Sequence, residues 1–270
     1  NLPDGMKKVH ICIPFFGHPF PQTLKALGDS VVPIRDAGWD IHSSLEYNNP
    51  YISSARNTML RKALDDKADV VVFIDHDVTW DPMNLLTLIE TPGDVVAGTY
   101  RFKKKEVEYM GSPYPGIDGT PQLKGIGRFN DDPYDPRFDD AIVGYSAPAG
   151  FLKVTPNAVD RFMRAYPELV YGSAFSPCVD LFNHGAHKGV WYGEDYAFCR
   201  NWRDLGGEVL LLPNLNISHW SREQDGSYTE YPGNYHWYLA SCAGGARDPQ
   251  KESSHAEHET DWGGIQGSAA

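Results

Sequence analysis

The sequence predicts an α/β fold with a doubly wound, mostly parallel sheet. Residues 70–74 form an apolar, mostly β-branched run, which is typical of a strand buried on both faces of such a sheet. Segments of strand and helix character alternate from residue 9 to residue 100, which indicates successive β-α-β units. With 270 residues, 41% of them hydrophobic and 22% charged, the chain can bury the core of a globular protein.

Four strands and three helices are predicted in the first hundred residues. The strands are placed at residues 9–14, 39–45, 70–74 and 94–100. The first helix, over residues 21–37, has apolar side chains at helical spacing, and Pro33 is expected to kink or split it. Ser53 and Ser54 are predicted to cap the second helix. Asp81 begins the third helix as an N-cap, because Pro follows it at the first helical position.

The second half of the chain combines further strands and helices with two long loops. Residues 101–140 and 167–191 lack periodicity, and long loops within a compact domain are usually functional or mobile. The lysines at positions 103–105 form either a solvated surface or a contact to phosphate or to an acceptor. Strands are predicted at residues 141–145, 150–154, 208–212 and 215–218, and helices at residues 155–166 and 194–206.

Composition sets limits on the partners and the location of the protein. The net charge of −12 argues against a broad electrostatic surface for nucleic acid or for an anionic membrane. The four cysteines show no regular spacing, which favours free thiols in a reducing compartment over a disulfide framework. No run approaches the ~20 apolar residues of a transmembrane helix, and no signal peptide is recognised. A soluble, cytoplasmic protein is therefore expected.

The expected domain covers residues 1–221. Residues 222–270 are interpreted as a C-terminal extension that is polar and carries an aromatic cluster at positions 231–238. After about residue 244 the composition is typical of a disordered tail.

Two carboxylates follow the buried strand directly. Asp75 and Asp77 flank His76, and ligands of open α/β sheets bind beyond the carboxyl ends of the strands. Two acids at such a position can share a divalent cation through their oxygen atoms. The alternative interpretation is that the two acids only open the turn toward Trp80.

Further candidate residues occur later in the chain. Glu194 and Asp195 stand at a predicted helix start, where acids either carry chemistry or simply complement the helix dipole. His219 ends a predicted strand and is either a ligand or a structural histidine. Gly150 either allows a close approach of backbone and ligand or makes a tight strand turn.

In their order along the chain, these segments resemble glycosyltransferases of the GT-A fold, particularly those like glycosyltransferase family 2. The resemblance covers most of the first 220 positions. The matching segments are Ile13-Pro14, Ala55-Arg56-Asn57, Phe73 through Asp77, Gly144 through Leu152, Gly193 through Cys199, Gly206-Gly207, Leu212-Pro213 and Ser218-His219-Trp220. The resemblance implies a Rossmann-like nucleotide-binding half with a smaller acceptor-side sheet. His76 inside the Asp-x-Asp and the two long loops depart from the family pattern.

The resemblance also implies a donor site. A nucleoside diphosphate sugar, with a UDP-linked sugar favoured, would bind with Mn²⁺ or Mg²⁺ on its diphosphate. Asp77 would be the direct metal ligand and His219 would complete the shell, while Asp75 would reach the ribose or a metal-bound water. Arg56 is a candidate for contact with the base or diphosphate. The base and ribose would rest near Pro14, Phe15 and Glu46, and the donor sugar would come close to Gly150.

On the acceptor side, the resemblance implies that Asp195 is the general base. It would take the proton of a hydroxyl group on a glycan or small molecule, and Glu194 would hold a sugar or acceptor hydroxyl. In-line attack would invert the anomeric carbon. Two alternatives stay open: a sugar-1-phosphate nucleotidylyltransferase and a non-catalytic nucleotide- or glycan-binding domain. The first would need a glycine-rich loop with Arg and Lys after the first strand, where residues 15–20 read Phe-Phe-Gly-His-Pro-Phe.

Overall fold

The computed structural model describes residues 5–116, 119–125 and 141–242. Its helices are α1 (Pro21–Asp36), α2 (Ile52–Asp65), α3 (Pro82–Glu90), α4 (Pro156–Ala165), α5 (Glu194–Asp204) and α6 (Tyr235–Cys242). The strands of the first half are β1 (Lys7–Phe15), β2 (Trp39–Tyr47), β3 (Val70–Ile74), β4 (Val78–Trp80), β5 (Val95–Gly98), β6 (Ser112–Pro113) and β7 (Leu123–Lys124). Those of the second half are β8 (Ala141–Ser146), β9 (Phe151–Val154), β10 (Val170–Ser173), β11 (Ser176–Val179), β12 (Gly185–His187), β13 (Val190–Tyr192), β14 (Val209–Leu212), β15 (Asn216–Arg222) and β16 (Tyr228–Asn234).

A nine-stranded sheet forms the centre of the molecule. Its strand order is β2-β1-β3-β9-β5-β14-β8-β6, and β7 also pairs with β8. β1, β2 and β3 pair in parallel, as do β5 and β14. β9 runs antiparallel between β3 and β5, and β8 runs antiparallel to β14. β1, β2, β3, β5 and β14 therefore share one direction, and the predicted α/β class with a large, mostly parallel sheet is confirmed.

Helices cover both faces of this sheet. Alternate residues of β1 and β3 point into two separate cores, because successive strand side chains face opposite sides. Ile11 and Val72 pack on the face that carries α1 and α3. Cys12 and Phe73 pack on the face that carries α2, α4 and α5. All five residues of β3 are buried, as the apolar run predicts for a central strand.

The expected split of α1 at Pro33 and the expected serine caps of α2 are wrong. α1 continues through Pro33 as one helix, since Pro33 lies in its last turn and removes only one hydrogen bond there. The chain still closes the helix, because the Ala37 N–H donates to the Pro33 carbonyl at 3.1 Å. α2 begins one residue before the predicted Ser caps, so that Ser53 and Ser54 lie inside its first turn and no side chain caps it.

The two long loops contain short strands that have no clear periodicity in the sequence. In the described part of the first loop, β6 and β7 each pair with β8. Residues 126–140 of this loop lie outside the described residues. The second loop folds into the hairpins β10–β11 and β12–β13, preceded by a 3₁₀ helix at Pro167–Leu169.

The chain beyond residue 221 packs against the preceding residues through strand pairing and a buried aromatic side chain. The expected boundary falls inside β15, and β16 pairs with β15 in antiparallel register from Asn216↔Asn234 to Arg222↔Tyr228. Tyr235, at the start of α6, is buried against Tyr109, with ring centroids 5.2 Å apart. The tail expected to be disordered after about residue 244 lies outside the described residues.

The four cysteines are free thiols, and Cys12 and Cys199 are buried, as predicted. In the part of the chain that the structure describes, the helices are too short or too polar to span a bilayer.

Candidate active site

The turn after β3 sets the position of both central carboxylates. The Asp75 N–H donates to the Gly150 carbonyl at 3.0 Å, and the Val78 N–H returns to the Asp75 carbonyl at 3.2 Å. Residues 75–78 thus form a hydrogen-bonded turn at the carboxyl end of the central strand. Turn formation and a functional role for the acids, which the sequence left as alternatives, are compatible in this geometry.

Asp77 and His219 lie together beside this turn. β4 pairs with β15 so that Val78 is opposite His219, and the Trp220 N–H donates to the Asp77 carbonyl at 2.8 Å. His219 Nε2 lies 3.5 Å from Asp77 Oδ2. The other ring nitrogen, Nδ1, is 2.8 Å from the Arg101 carbonyl oxygen. Since a carbonyl only accepts hydrogen bonds, Nδ1 carries a proton and Nε2 faces the carboxylate.

A positive side chain also reaches the carboxylate of Asp77. Lys103, one of the three lysines that follow β5, donates from Nζ to Asp77 Oδ2. Burial on its own would raise the pKa of Asp77, but the hydrogen bond and charge of His219 and the charge of Lys103 hold that pKa well below its usual range. Asp77 is therefore a carboxylate at every physiological pH.

Asp75 is turned toward a different set of side chains. Arg56 Nη2 donates to its Oδ1 at 2.8 Å, and the Tyr100 hydroxyl donates to its Oδ2 at 3.3 Å. Gly150 leaves the space that this arrangement needs, because a Cβ there would lie 2.5 Å from Asp75 Oδ2 and would also collide with the Tyr100 hydroxyl. The structure thus requires a glycine here for the approach of these two side chains, and the predicted contact of Gly150 with the donor sugar stays a prediction.

Arg56 lies beneath the carboxylates, with a side chain only 2% exposed. Its Nη1 is 3.6 Å from Glu194 Oε1, and its guanidinium stacks over the Phe182 ring at 5.1 Å. Burial alone would lower the pKa of Arg56, but the negative charge of Asp75 raises it, so the guanidinium stays charged. Nε and Nη1 have no hydrogen-bond partner among the described residues.

Glu194 and Asp195 stand in the first turn of α5, as predicted. Gly193 is the N-cap residue and no side chain caps the helix, so neither acid serves as its N-cap. Asp195 Oδ1 accepts the Tyr196 N–H at 2.9 Å. Burial and the negative charge of Glu194 together raise the pKa of Asp195 to about 6, although the positive charge of Arg56 acts in the opposite direction.

Tyr100 links the two groups of side chains and was missed in the sequence. Its hydroxyl contacts Asp75, and its ring packs edge-on against His219 with centroids 5.0 Å apart. Burial raises the pKa of Tyr100, so it remains a hydrogen-bond donor. The only sequence signal was its place at the end of a predicted strand.

The predicted base and ribose positions lie at the same edge of the sheet. Pro14 and Glu46 are register partners at the ends of β1 and β2. Phe15 is buried and packs against the Tyr47 ring, with centroids 4.5 Å apart. Glu46 Oε2 is 3.4 Å from Lys62 Nζ. Contact of these residues with a nucleotide stays a prediction.

No protein-family model and no curated protein matches the chain. Solved structures do match it. A197 from STIV has a TM-score of 0.45 and 15% identity, with 83% of this chain and 93% of that chain covered. A mutant of Drosophila β1,4-galactosyltransferase 7 in complex with manganese, UDP-Gal and xylobiose has a TM-score of 0.41 and 14% identity, with 94% and 82% covered. S. aureus TarS in complex with UDP-GlcNAc has a TM-score of 0.38 and 12% identity, with 76% and 56% covered. A glycosyltransferase and a UDP-sugar complex are thus among the matched structures.

Proposed function

We propose that the protein is a metal-dependent glycosyltransferase. It moves a sugar from a nucleoside diphosphate sugar, with UDP as the favoured nucleotide, to a hydroxyl group of a glycan or small-molecule acceptor, and it inverts the anomeric carbon. The observation that carries the proposal is a pair of carboxylates with opposite surroundings in one site: Asp77 contacts Lys103 and His219, whereas Asp195 is partly buried next to Glu194 in the first turn of α5. Asp77 is held ionised, whereas Asp195 titrates near pH 6. Such a pair is typical of a site that separates charge stabilisation from proton transfer.

Asp77 and His219 support a divalent cation on the leaving-group side. A carboxylate oxygen together with an imidazole nitrogen suits Mn²⁺ better than Mg²⁺, and Lys103 already places a positive charge at the same oxygen. The Arg101 carbonyl fixes the His219 ring with Nε2 toward Asp77, which is the outer contact that metal-bound histidines commonly make. When bound, the ion would neutralise charge on the departing nucleoside diphosphate.

Lys103 belongs to the same side of the reaction. With a cation at Asp77, its ammonium group would be released toward the diphosphate oxygens, which is the phosphate contact that the lysine run left open. The carboxylate of Asp75 is hydrogen-bonded by Arg56 and Tyr100, whereas Asp77 is the carboxylate that faces His219. The proposed part of Asp75 is therefore to orient the ribose or a metal-bound water.

Asp195 takes the proton of the acceptor hydroxyl. A base with a pKa of about 6 is ionised at neutral pH and can still accept a proton as the hydroxyl attacks. Arg56 lies between Asp75 and Glu194 and keeps both carboxylates in place. Glu194, held in this position by Arg56, accepts a hydrogen bond from a hydroxyl group of the sugar or acceptor.

The proposed activity is tested by incubating the protein with individual UDP-sugars, Mn²⁺ and a panel of glycan acceptors. We expect release of UDP and a product whose NMR spectrum shows the inverted anomeric configuration. Retention of the donor's configuration would exclude inversion. If the protein binds nucleotide sugars but releases no UDP with any acceptor of the panel, the non-catalytic alternative would be favoured.

Replacing Asp77 by Ala should abolish metal-dependent binding of the donor, because it removes the carboxylate that we assign to the cation. Isothermal titration calorimetry with UDP-sugar in the presence of Mn²⁺ measures this. Asp36→Ala, at an exposed position at the end of α1, is the matched control and should bind like the unchanged chain. Equal binding by Asp77→Ala and by the control would contradict the assignment.

A further inference from the structure

We propose that His10, His42 and Asp66 form a second metal site, for a divalent transition-metal ion of the Zn²⁺ type. His10 and His42 are register partners on the adjacent parallel strands β1 and β2. Asp66 directly follows α2, which packs over this face of the sheet. One nitrogen from each histidine and one carboxylate oxygen all lie within 4.8 Å of one another.

Both histidine nitrogens lie close to the same carboxylate oxygen of Asp66. His42 Nδ1 is 2.8 Å from Asp66 Oδ2, and His10 Nδ1 is 3.3 Å from the same oxygen. Tetrahedral Zn²⁺ with bonds of about 2.0–2.2 Å places its ligand atoms about 3.3 Å apart. The spacing therefore needs only a small opening to admit an ion, with the fourth position left for water.

His42 gives an independent indication. Its Nε2 is 2.9 Å from Asp40 Oδ2, while its Nδ1 faces Asp66, so both ring nitrogens point at carboxylates. A neutral histidine has one N–H and satisfies only one of these contacts. A metal ion on Nδ1 leaves the Nε2–H to donate to Asp40, which is the outer carboxylate contact that metal-bound histidines commonly make.

Each of the three ligands already has an outer partner. His10 Nε2 is 2.6 Å from the Ser44 hydroxyl, and Asp40 is the partner of His42. Lys8 Nζ donates to Asp66 Oδ1 at 3.0 Å, which leaves Oδ2 for the ion. Such outer contacts fix the ring orientation of ligating histidines and raise ligand basicity. The carboxylates of Asp40 and Asp66 with the ammonium of Lys8 give one net negative charge, which favours a cation.

The site is accessible and separate from the candidate active site. The side chain of His10 is 8% exposed, but those of His42 and Asp66 are 37% and 28% exposed, so an ion can enter from solvent. His10 pairs with Val71, four residues before Asp75, or roughly 13 Å along the strand. An ion here would fasten the end of α2 to β1 and β2.

The test uses the full chain with Asp77→Ala, which removes the other candidate cation site, and Zn²⁺ alone as the probe. After treatment with a chelator, titration against a chromophoric competitor should show one Zn²⁺ per chain. His42→Ala should weaken binding at least 100-fold, whereas His18→Ala, which removes an exposed histidine elsewhere, should not change it. Absence of stoichiometric Zn²⁺, or equal affinity in the two histidine variants, would overturn the proposal.

Asp40→Asn keeps the proposal testable if His42→Ala does not fold. It removes only the outer partner and should weaken Zn²⁺ binding about 10-fold or more. X-ray absorption should show two imidazole nitrogens and a carboxylate oxygen at about 2.0–2.2 Å. A first shell without imidazole, or unchanged affinity in Asp40→Asn, would refute the site.

Discussion

The carboxyl group of Asp195 illustrates how a single residue can serve the proposed reaction at a cost to stability. Its folded pKa is about 6 and its ordinary value is 3.8, because burial and the charge of Glu194 disfavour the carboxylate. Between these two pH values the folded chain binds more protons than the unfolded chain, so the free energy of unfolding falls as the pH rises. Above pH 6 the ionisation of Asp195 has lowered the free energy of unfolding by its full amount, about 3 kcal/mol.

Replacing Asp195 by Asn should therefore raise stability at pH 7 by up to about 3 kcal/mol and leave it nearly unchanged at pH 4. The same change should abolish UDP release, which in the unchanged chain should rise with pH through about 6. Urea unfolding at the two pH values and a pH profile of the reaction measure these effects. Asp36→Asn serves as the exposed control. A stability difference that is the same at pH 4 and pH 7 would contradict the prediction.

Single residues also show where reasoning from sequence stops. Asp75 and Asp77 could be placed at a strand end because the signal is local to residues 70–77. Their different surroundings could not be predicted, since His219 reaches Asp77 from 142 positions away, through strand pairing. Tyr100 and Lys103 follow a strand and enter a loop without periodicity, so nothing in the sequence indicated their contacts.

At the scale of elements, local patterns predicted the parallel core well. The strands β1, β2, β3 and β5 alternate with helices, and each carries its own apolar signal. The hairpin strands β10 to β13 have only three or four residues each, and β16 is paired with β15. Their burial is partial, so their sequences lack the alternation that a half-buried sheet usually shows.

One contact between elements explains a buried charge away from both sites. Lys153 of β9 donates from Nζ to the carbonyls of Ile89 and Thr91, at 3.0 and 2.5 Å, and so closes the end of α3. Burial lowers the pKa of Lys153 to about 8. Between pH 8 and the ordinary value of 10.5 the unfolded chain binds more protons, so this lysine makes stability rise with pH.

Lys153→Met should remove this pH dependence. Between pH 8 and pH 10.5, the free energy of unfolding of the unchanged chain should rise by up to about 3 kcal/mol relative to that of the variant. At pH 7.5 the variant loses a costly buried charge but leaves two carbonyls without a donor, and each such loss costs about 1–3 kcal/mol. Urea unfolding at pH 7.5 and pH 10 measures the difference. Lys25→Met, on the exposed face of α1, is the control. Parallel pH profiles for the unchanged chain and Lys153→Met would refute the assignment.

At the scale of the whole molecule, the segment after residue 221 supports the strand that carries His219, although it contributes none of the predicted site residues. β15, which carries His219, is held by only three register pairs to β4 but by seven to β16. Tyr235 then anchors the segment in the core against Tyr109. The position of His219 thus depends on chain that the sequence indicated to be an extension.

A chain that ends at residue 221 should accordingly be less stable than one that ends at residue 242. The longer chain keeps every described contact, whereas the shorter one loses the β15–β16 pairing and the burial of Tyr235. Burial of one large side chain contributes about 1.5–3 kcal/mol, so we expect the free energy of unfolding to fall by at least about 3 kcal/mol in total.

Mn²⁺-dependent binding of UDP-sugar should also weaken in the shorter chain, because β15 becomes an edge strand and His219 is less firmly held. Urea unfolding and calorimetry on both chains, with the full chain as reference, measure these effects. Equal stability and equal binding in the two shortened chains would show that β16 and α6 do not support the site.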